Sequence, residues 1–157
     1  MKPDKDKSLR EHVRHLLRGG SAHIDFQSAL DNFPLALINL KIGNLPYTPW
    51  HVLEHMRIAQ WDILEFTRNE KHVSPEFPEG YWPSPASEAS KRSWEKTVKS
   101  FFSDLIQLEV LVMSPATDLF AAIPHGDGQT ILREALLVAD HNAYHLGALM
   151  TMKKMKS

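Results

Sequence analysis

Helical periodicity is the feature of this sequence that most restricts its fold. Apolar residues recur at every third or fourth position through long segments, and no segment shows the apolar and polar alternation of a strand. The long segments run from about Ser8 to Arg18, from Pro49 to about Thr67, from about Ser87 to Met113, and from Thr130 into the basic C-terminal residues. We therefore expect an all-α protein in which four long helices form a bundle.

Capping residues indicate where these helices begin. Ser8 and Glu11 have the spacing of a capping box, which leaves residues 1–7 as a charged tail before the first helix. Thr48 precedes a proline that suits a first helical turn, and Thr130 precedes the last apolar segment. Ser8, Thr48 and Thr130 are thus the expected N-caps of three long helices.

Length, charge and composition narrow the class of protein. A chain of 157 residues suffices for one domain with one core, so we treat residues 1–157 as a single domain. A net charge of −1 gives no electrostatic reason to expect nucleic acid as a partner. The start lacks the apolar core of a signal peptide, and no apolar run approaches the roughly 18 residues of a membrane helix. We expect a cytoplasmic protein with no membrane partner.

A long proline-rich segment separates the second and third long helices. Residues 69–86 include Pro75, Pro78, Pro83 and Pro85, so this segment cannot be helical, and it is too long for a tight turn. A crossover of this length allows the two helices that it joins to run parallel. The aromatic residues of the segment are expected to seal it against the bundle rather than to contact a substrate; they are Phe77, Tyr81 and Trp82.

Three histidines are placed to meet at one level of the bundle. His141 and His145 lie four residues apart on the apolar stripe of the last segment, so both rings face inward. His55 lies seven residues after Thr48, and His145 lies eight residues before Lys153. If these two helices are antiparallel, a rise of about 1.5 Å per residue brings the three rings together. Buried imidazoles need partners, because an unpaired buried polar group costs roughly 1–3 kcal/mol.

Three converging imidazoles suit a metal ion. The chain has no cysteine, so a transition metal would be held by His, Asp, Glu or water. Neutral imidazoles are good ligands for a divalent ion such as zinc or nickel, and three of them leave coordination positions open for water or a small-molecule substrate. The alternative is that His141 and His145 are core residues, hydrogen-bonded to the backbone or to Asp140, Glu134 or Tyr144.

Charged residues surround the histidines of the first helix. His12 and His15 lie beside its apolar stripe, among Arg10, Arg14 and Arg18. We therefore expect both histidines to be partly exposed and not to be metal ligands.

Two stretches resemble one protein family. They are residues 48–62, TPWHVLEHMRIAQWD, and residues 140–147, DHNAYHLG. They are similar to the single-histidine helix and to the HxxxH signature before a Leu-Gly pair in the DinB-like superfamily, which includes YfiT-type metal-dependent hydrolases and thiol-dependent transferases. The resemblance covers essentially the whole chain. It implies an up-down-down-up four-helix bundle with a long crossover, and association as a homodimer.

The resemblance also implies site residues and a function. By position, the metal ligands of the family correspond to His55, His141 and His145. His51 is an alternative to His55, but it is one turn nearer the helix start and further from the apolar stripe. The expected function is that of a metal-dependent hydrolase or low-molecular-weight-thiol transferase acting on a small molecule. The rival is a helical bundle that binds a ligand or partner without a functional metal. Candidates for supporting or acid–base roles are Asp62, Glu134, Asp140 and His125.

Overall fold

The structure, a computed structural model, describes residues 4–155 and consists of helices joined by loops. Within that range there is no strand, only one isolated bridge between Ala122 and Thr130, so the all-α prediction is confirmed. Residues 1–3, which belong to the predicted charged tail, and residues 156–157 lie outside the described range. The helices are α1 (Lys5–Arg18), α2 (Phe26–Asp31), α3 (Pro49–Arg68), α4 (Lys91–Met113) and α5 (Ile131–Lys154), with short 3-10 helices at Leu35–Leu37 and Glu79–Tyr81. None of these helices is long and apolar enough to span a bilayer.

The two helices that carry the predicted metal ligands begin where their capping residues predict. Thr48 accepts a hydrogen bond from the backbone N–H of His51, and Pro49 takes the first position of α3. Thr130 accepts from the backbone N–H of Arg133 at the start of α5. A cap of this kind satisfies an N–H group that has no partner within the helix. Both predicted N-caps are confirmed.

The predicted start of α1 is wrong. The helix begins at Lys5, because the Asp4 carboxylate accepts hydrogen bonds from the backbone N–H groups of Asp6 and Lys7. Ser8 therefore lies inside the helix, and the last residues of the predicted tail are helical. Ser8 has the spacing of a capping box, but Asp4, one turn earlier, is the stronger cap, because its charged oxygen accepts hydrogen bonds from two N–H groups.

The predicted start of α4 is also displaced. The helix begins at Lys91 and not near Ser87, because Ser90 and Ser93 exchange reciprocal hydrogen bonds at the helix start. The predicted end at Met113 is confirmed.

α3 is the central helix of the molecule. It packs against both α4 and α5, and α1 in turn packs against α4 and α5. Two buried amides join the three longest helices: Asn142 Nδ2 donates to Gln60 Oε1 at 2.8 Å, and Gln60 Nε2 donates to the carbonyl oxygen of Phe101 at 2.7 Å. The surrounding core is apolar; its fully buried side chains include Leu53, Met56, Phe101, Leu108, Leu146 and Leu149.

A buried arginine ties α1 to the end of α4. The side chain of Arg10 donates hydrogen bonds to the carbonyl oxygens of Val112, Ser114 and Thr117 at 2.7, 2.9 and 2.8 Å. The last carbonyl groups of a helix have no partner within it. Arg10 supplies donors to this end of α4 and to the turn that follows.

The proline-rich segment covers part of α3. The prediction that this segment has no helix is wrong at Glu79–Tyr81, which form one short 3-10 helix after Pro78. Tyr81 and Trp82 are partly buried, whereas the Phe77 side chain is 81% exposed. The predicted sealing role therefore holds for Tyr81 and Trp82 and is wrong for Phe77.

Candidate metal centre

α3 presents His55 with one ring nitrogen already occupied. The residue is 8% exposed, and its Nδ1 lies 2.9 Å from the carbonyl oxygen of Tyr81. A carbonyl can only accept a hydrogen bond, so Nδ1 of the neutral ring carries the proton. Nε2 is then left with a lone pair, and it faces α5.

α5 brings two further Nε2 atoms to the same point. His141 Nε2 lies 3.0 Å from His55 Nε2, and His145 Nε2 lies 3.2 Å from it. All three ligand atoms lie within 4.8 Å of one another, so these histidines form a group that could hold a metal ion. Tetrahedral Zn–N bonds of 2.0–2.1 Å separate two nitrogens by roughly 3.3 Å, close to the distances found here. The structure therefore brings the predicted triad together.

Burial keeps these imidazoles neutral. It lowers the pKa of His55, and it lowers the pKa values of His141 and His145 to about 4. The neighbouring imidazoles add to the lowering for His141 and His145, since a second positive charge beside the first is unfavourable. At neutral pH each of these neutral imidazoles has one ring nitrogen without a proton, as a metal ligand requires.

The proline-rich segment forms one wall of the centre. The rings of Trp82 and His55 are stacked, with centroids 3.9 Å apart and planes at 3°. The wall is also hydrogen-bonded to α3, because the Tyr81 hydroxyl donates to Asp62 Oδ2 at 2.6 Å and His72 Nε2–H donates to Asp62 Oδ1 at 2.7 Å. Burial, together with the Asp62 carboxylate, raises the pKa of Tyr81 to about 12, so its hydroxyl keeps the donated proton. Sequence reasoning assigned no site role to His72, Tyr81 or Trp82.

A cavity of about 390 Å³ opens beside His55 and His141. Among the acid–base candidates, Asp62 and Glu134 line this cavity, and both are buried. Its apolar lining comes chiefly from Ala59, Ile63, Phe66, Phe77 and Leu137.

The other two acid–base candidates lie elsewhere. His125 is exposed, and its Nε2–H donates to the carbonyl oxygen of Phe66 at 2.6 Å. Asp140 precedes His141 but is exposed. Neither residue is part of the cavity lining.

His51 is excluded from the centre by its own hydrogen bonds. Its Nδ1 accepts from the backbone N–H of Thr48 at 3.3 Å, and its Nε2–H donates to the carbonyl oxygen of Ser87 at 2.8 Å. Burial does not separate the two residues, since His51 is 2% exposed and His55 is 8% exposed. His55, and not His51, faces the other two imidazoles, because both nitrogens of His51 are engaged elsewhere.

Comparisons with known protein families, with curated proteins and with solved structures find no match for this chain. The fold and the site define its class. It is an all-helical protein with three neutral imidazoles from α3 and α5 that converge beside a cavity.

Proposed function

We propose that this protein is a metal-dependent enzyme of hydrolase or low-molecular-weight-thiol transferase type. Its divalent ion, zinc or nickel, is held by His55, His141 and His145. The observation that carries the proposal is the convergence of three imidazoles whose ligand nitrogens lie within 4.8 Å of one another, with one ring fixed by the Tyr81 carbonyl. A closed structural site normally uses four protein ligands, whereas three leave room for a substrate.

We further propose that the chain adopts the up-down-down-up bundle of the DinB-like superfamily. Hydrogen bonds between α3 and α4 follow the same order along both helices: Glu54 with Thr97, Gln60 with Phe101, and Arg68 with Gln107. Those between α3 and α5 follow the opposite order: His55 with His145, and Gln60 with Asn142. These orders support a parallel α3–α4 pair and an antiparallel α3–α5 pair. Association as a homodimer stays a prediction.

In this proposal the cavity binds the substrate. A volume of about 390 Å³ is in the range of small-molecule sites, and the mostly apolar lining favours a substrate with a compact apolar body. A divalent ion at the triad supplies Lewis acidity, which polarises a carbonyl or thiol or lowers the pKa of a water molecule.

Glu134 is the acid–base candidate that the geometry favours. It is 2% exposed, lines the cavity, and accepts a hydrogen bond through Oε1 from Arg133 at 2.6 Å. No hydrogen bond to its other oxygen is found among residues 4–155, so Oε2 can take a proton from a molecule in the cavity. The Asp62 oxygens, in contrast, both accept hydrogen bonds.

Metal analysis of protein purified without an affinity tag tests the proposal. We expect about one zinc or nickel ion per chain after reconstitution and dialysis, and close to none for His145→Ala, because two imidazoles hold an ion far less tightly than three. His125→Ala is the matched control and should keep the ion, since His125 bonds the Phe66 carbonyl outside the centre. Equal metal content in all three proteins would mean that the ligand set is wrong.

One observation favours the non-catalytic alternative. The Nε2 atoms of His141 and His145 lie within hydrogen-bond distance of His55 Nε2, so the imidazoles can satisfy one another without an ion. A reconstituted protein that retains no zinc or nickel would support this alternative, a helical bundle that binds a ligand or partner.

A further inference from the structure

Asp62 holds two distant points of the proline-rich segment against α3. Its side chain is 10% exposed, and it accepts hydrogen bonds from His72 and Tyr81, which lie ten and nineteen residues further along the chain. Each carboxylate oxygen takes one of these bonds. Both oxygens of the carboxylate are therefore engaged with the segment.

Tyr81 connects Asp62 to the metal centre. Its hydroxyl donates to Asp62, while its backbone carbonyl accepts the Nδ1–H of His55. Asp62 and His55 are seven residues, or about two helical turns, apart and therefore share one face of α3. Tyr81 thus contacts both the Asp62 carboxylate and the His55 imidazole. Trp82, the next residue, stacks on the same imidazole.

We propose that Asp62 is a positioning residue of the metal centre, which acts through Tyr81 to hold His55 as a ligand. With Tyr81 anchored, its carbonyl keeps the proton of His55 on Nδ1 and directs Nε2 toward His141 and His145. This inference rests on the proposed metal-dependent function. It differs from an acid–base role, because an acid or base could be removed without changing the affinity for the ion.

Outer partners of a ligating histidine fix its tautomer and ring orientation, and their loss typically weakens metal binding by about 10–100-fold. The carbonyl of Tyr81 is the immediate partner and remains when the side chains are changed. What the side-chain variants remove is the restraint on its position. We therefore expect Asp62→Asn to weaken binding by roughly 10–100-fold and Tyr81→Phe by roughly tenfold, because the latter keeps the bond between His72 and Asp62.

The test measures the dissociation constant for zinc of the full-length, tag-free protein by competition with a chromophoric chelator at about pH 7.5, where imidazoles are neutral. Asp62→Asn and Tyr81→Phe are compared with Glu109→Gln. Glu109 is an equally buried carboxylate at 7% exposure, but it pairs with Arg18, away from the centre. Glu109→Gln should lower the thermal midpoint and leave the zinc affinity unchanged, which separates positioning from a general loss of stability.

A second readout needs no metal. Nitrogen-15 spectra of the histidines in chelator-treated protein should show His55 protonated on Nδ1 in the wild type and a mixture of tautomers in Asp62→Asn. If Asp62→Asn does not fold, Tyr81→Phe carries both measurements. Wild-type protein that binds no zinc would overturn the proposed function itself. Wild-type binding with affinities within about twofold in both variants would overturn the positioning role alone.

Discussion

The buried histidines of α3 differ in what their two ring nitrogens contact. His51 and His55 lie one turn apart on α3, and both are buried. His51 bonds the backbone through both nitrogens, whereas His55 bonds the backbone through Nδ1 and turns Nε2 to two other imidazoles. Burial alone does not identify a ligand. What sets His55 apart is that its second ring nitrogen faces two other imidazoles instead of the backbone.

The pKa values predict how the metal-free protein responds to acid. In the folded state His141 and His145 have pKa values of about 4, below the value of about 6.5 for an unfolded chain, so the unfolded state binds protons first. Their contribution to the free energy of unfolding should be complete above about pH 6.5 and should be lost as the pH falls toward 4. Urea unfolding of chelator-treated protein at several pH values measures this loss.

Other groups also titrate in this range, so a variant is the comparison. The double variant His141→Gln and His145→Gln should lose less of its unfolding free energy between about pH 6.5 and pH 4. An equally steep loss in this variant would show that the two histidines are not the source.

At the scale of elements, α1 is held against α4 by arginine side chains. Arg10 is 6% exposed and donates to three carbonyl oxygens at and beyond the end of α4. Arg18, the last residue of α1, forms an ion pair with Glu109 of α4. The two arginines thus attach the middle and the end of the first helix to α4 and the turn that follows it.

We expect Arg10→Met to lower the free energy of unfolding by roughly 2–4 kcal/mol, because several carbonyl groups lose a charged donor. Arg14→Met is the control, since Arg14 makes no hydrogen bond or ion pair within residues 4–155, and its effect should stay within about 0.5 kcal/mol. Denaturant unfolding compares the two. Similar losses for both variants would contradict the role given to Arg10.

The proline-rich segment offers a second pair of variants. Trp82→Ala should lower the free energy of unfolding by roughly 1–3 kcal/mol, because the indole is partly buried and stacks on His55. Phe77→Ala should change it by less than about 0.5 kcal/mol, because that ring is 81% exposed. Thermal unfolding of the metal-free variants measures both. A larger effect for Phe77→Ala would mean that the segment packs differently.

At the scale of the whole molecule, metal binding and folding should be linked. The proposed ligands come from α3 and α5, so the complete triad exists only when these helices are packed together. Free zinc at about 100 times its dissociation constant should add about 2.7 kcal/mol to stability, which raises the midpoint of a domain of this size by roughly 5–10 °C. Thermal scans with zinc and with chelator test this. His145→Ala should show almost no shift, and a shift equal to that of the wild type would contradict the triad.

Much of the helical layout can be predicted from the sequence, because period and caps are local properties. Thr48 and Thr130 mark the starts of α3 and α5 correctly. Asp4 and Ser90 were missed because adjacent polar residues offer several capping arrangements, and the choice among them depends on the rest of the fold. The charged residues around Arg10 suggest that it faces solvent. It is nevertheless buried against residues that lie more than a hundred positions further along the chain.

In the candidate metal centre, too, the residues on helices could be predicted from the sequence and the residues of the loop could not. The three histidines lie on helices, where spacing determines the face, so their convergence could be predicted. Tyr81 and Trp82 lie at the end of a three-residue 3-10 helix in the proline-rich segment, which is too short for a sequence period to indicate side-chain direction. That segment touches the centre through a backbone carbonyl, which every residue type possesses. Nothing in the sequence distinguishes that carbonyl from its neighbours.

The attachment of α1 has a consequence for biosynthesis. Arg10 bonds residues that lie 102 to 107 positions further along the chain, and the main contacts of α1 are with α4 and α5. At about 5–20 residues per second, a ribosome needs roughly 5–20 s to make the intervening chain. During that interval the amphipathic α1 has emerged with its apolar side uncovered. A chaperone that binds nascent chains would therefore contact α1 before α4 and α5 have formed the surface against which it packs.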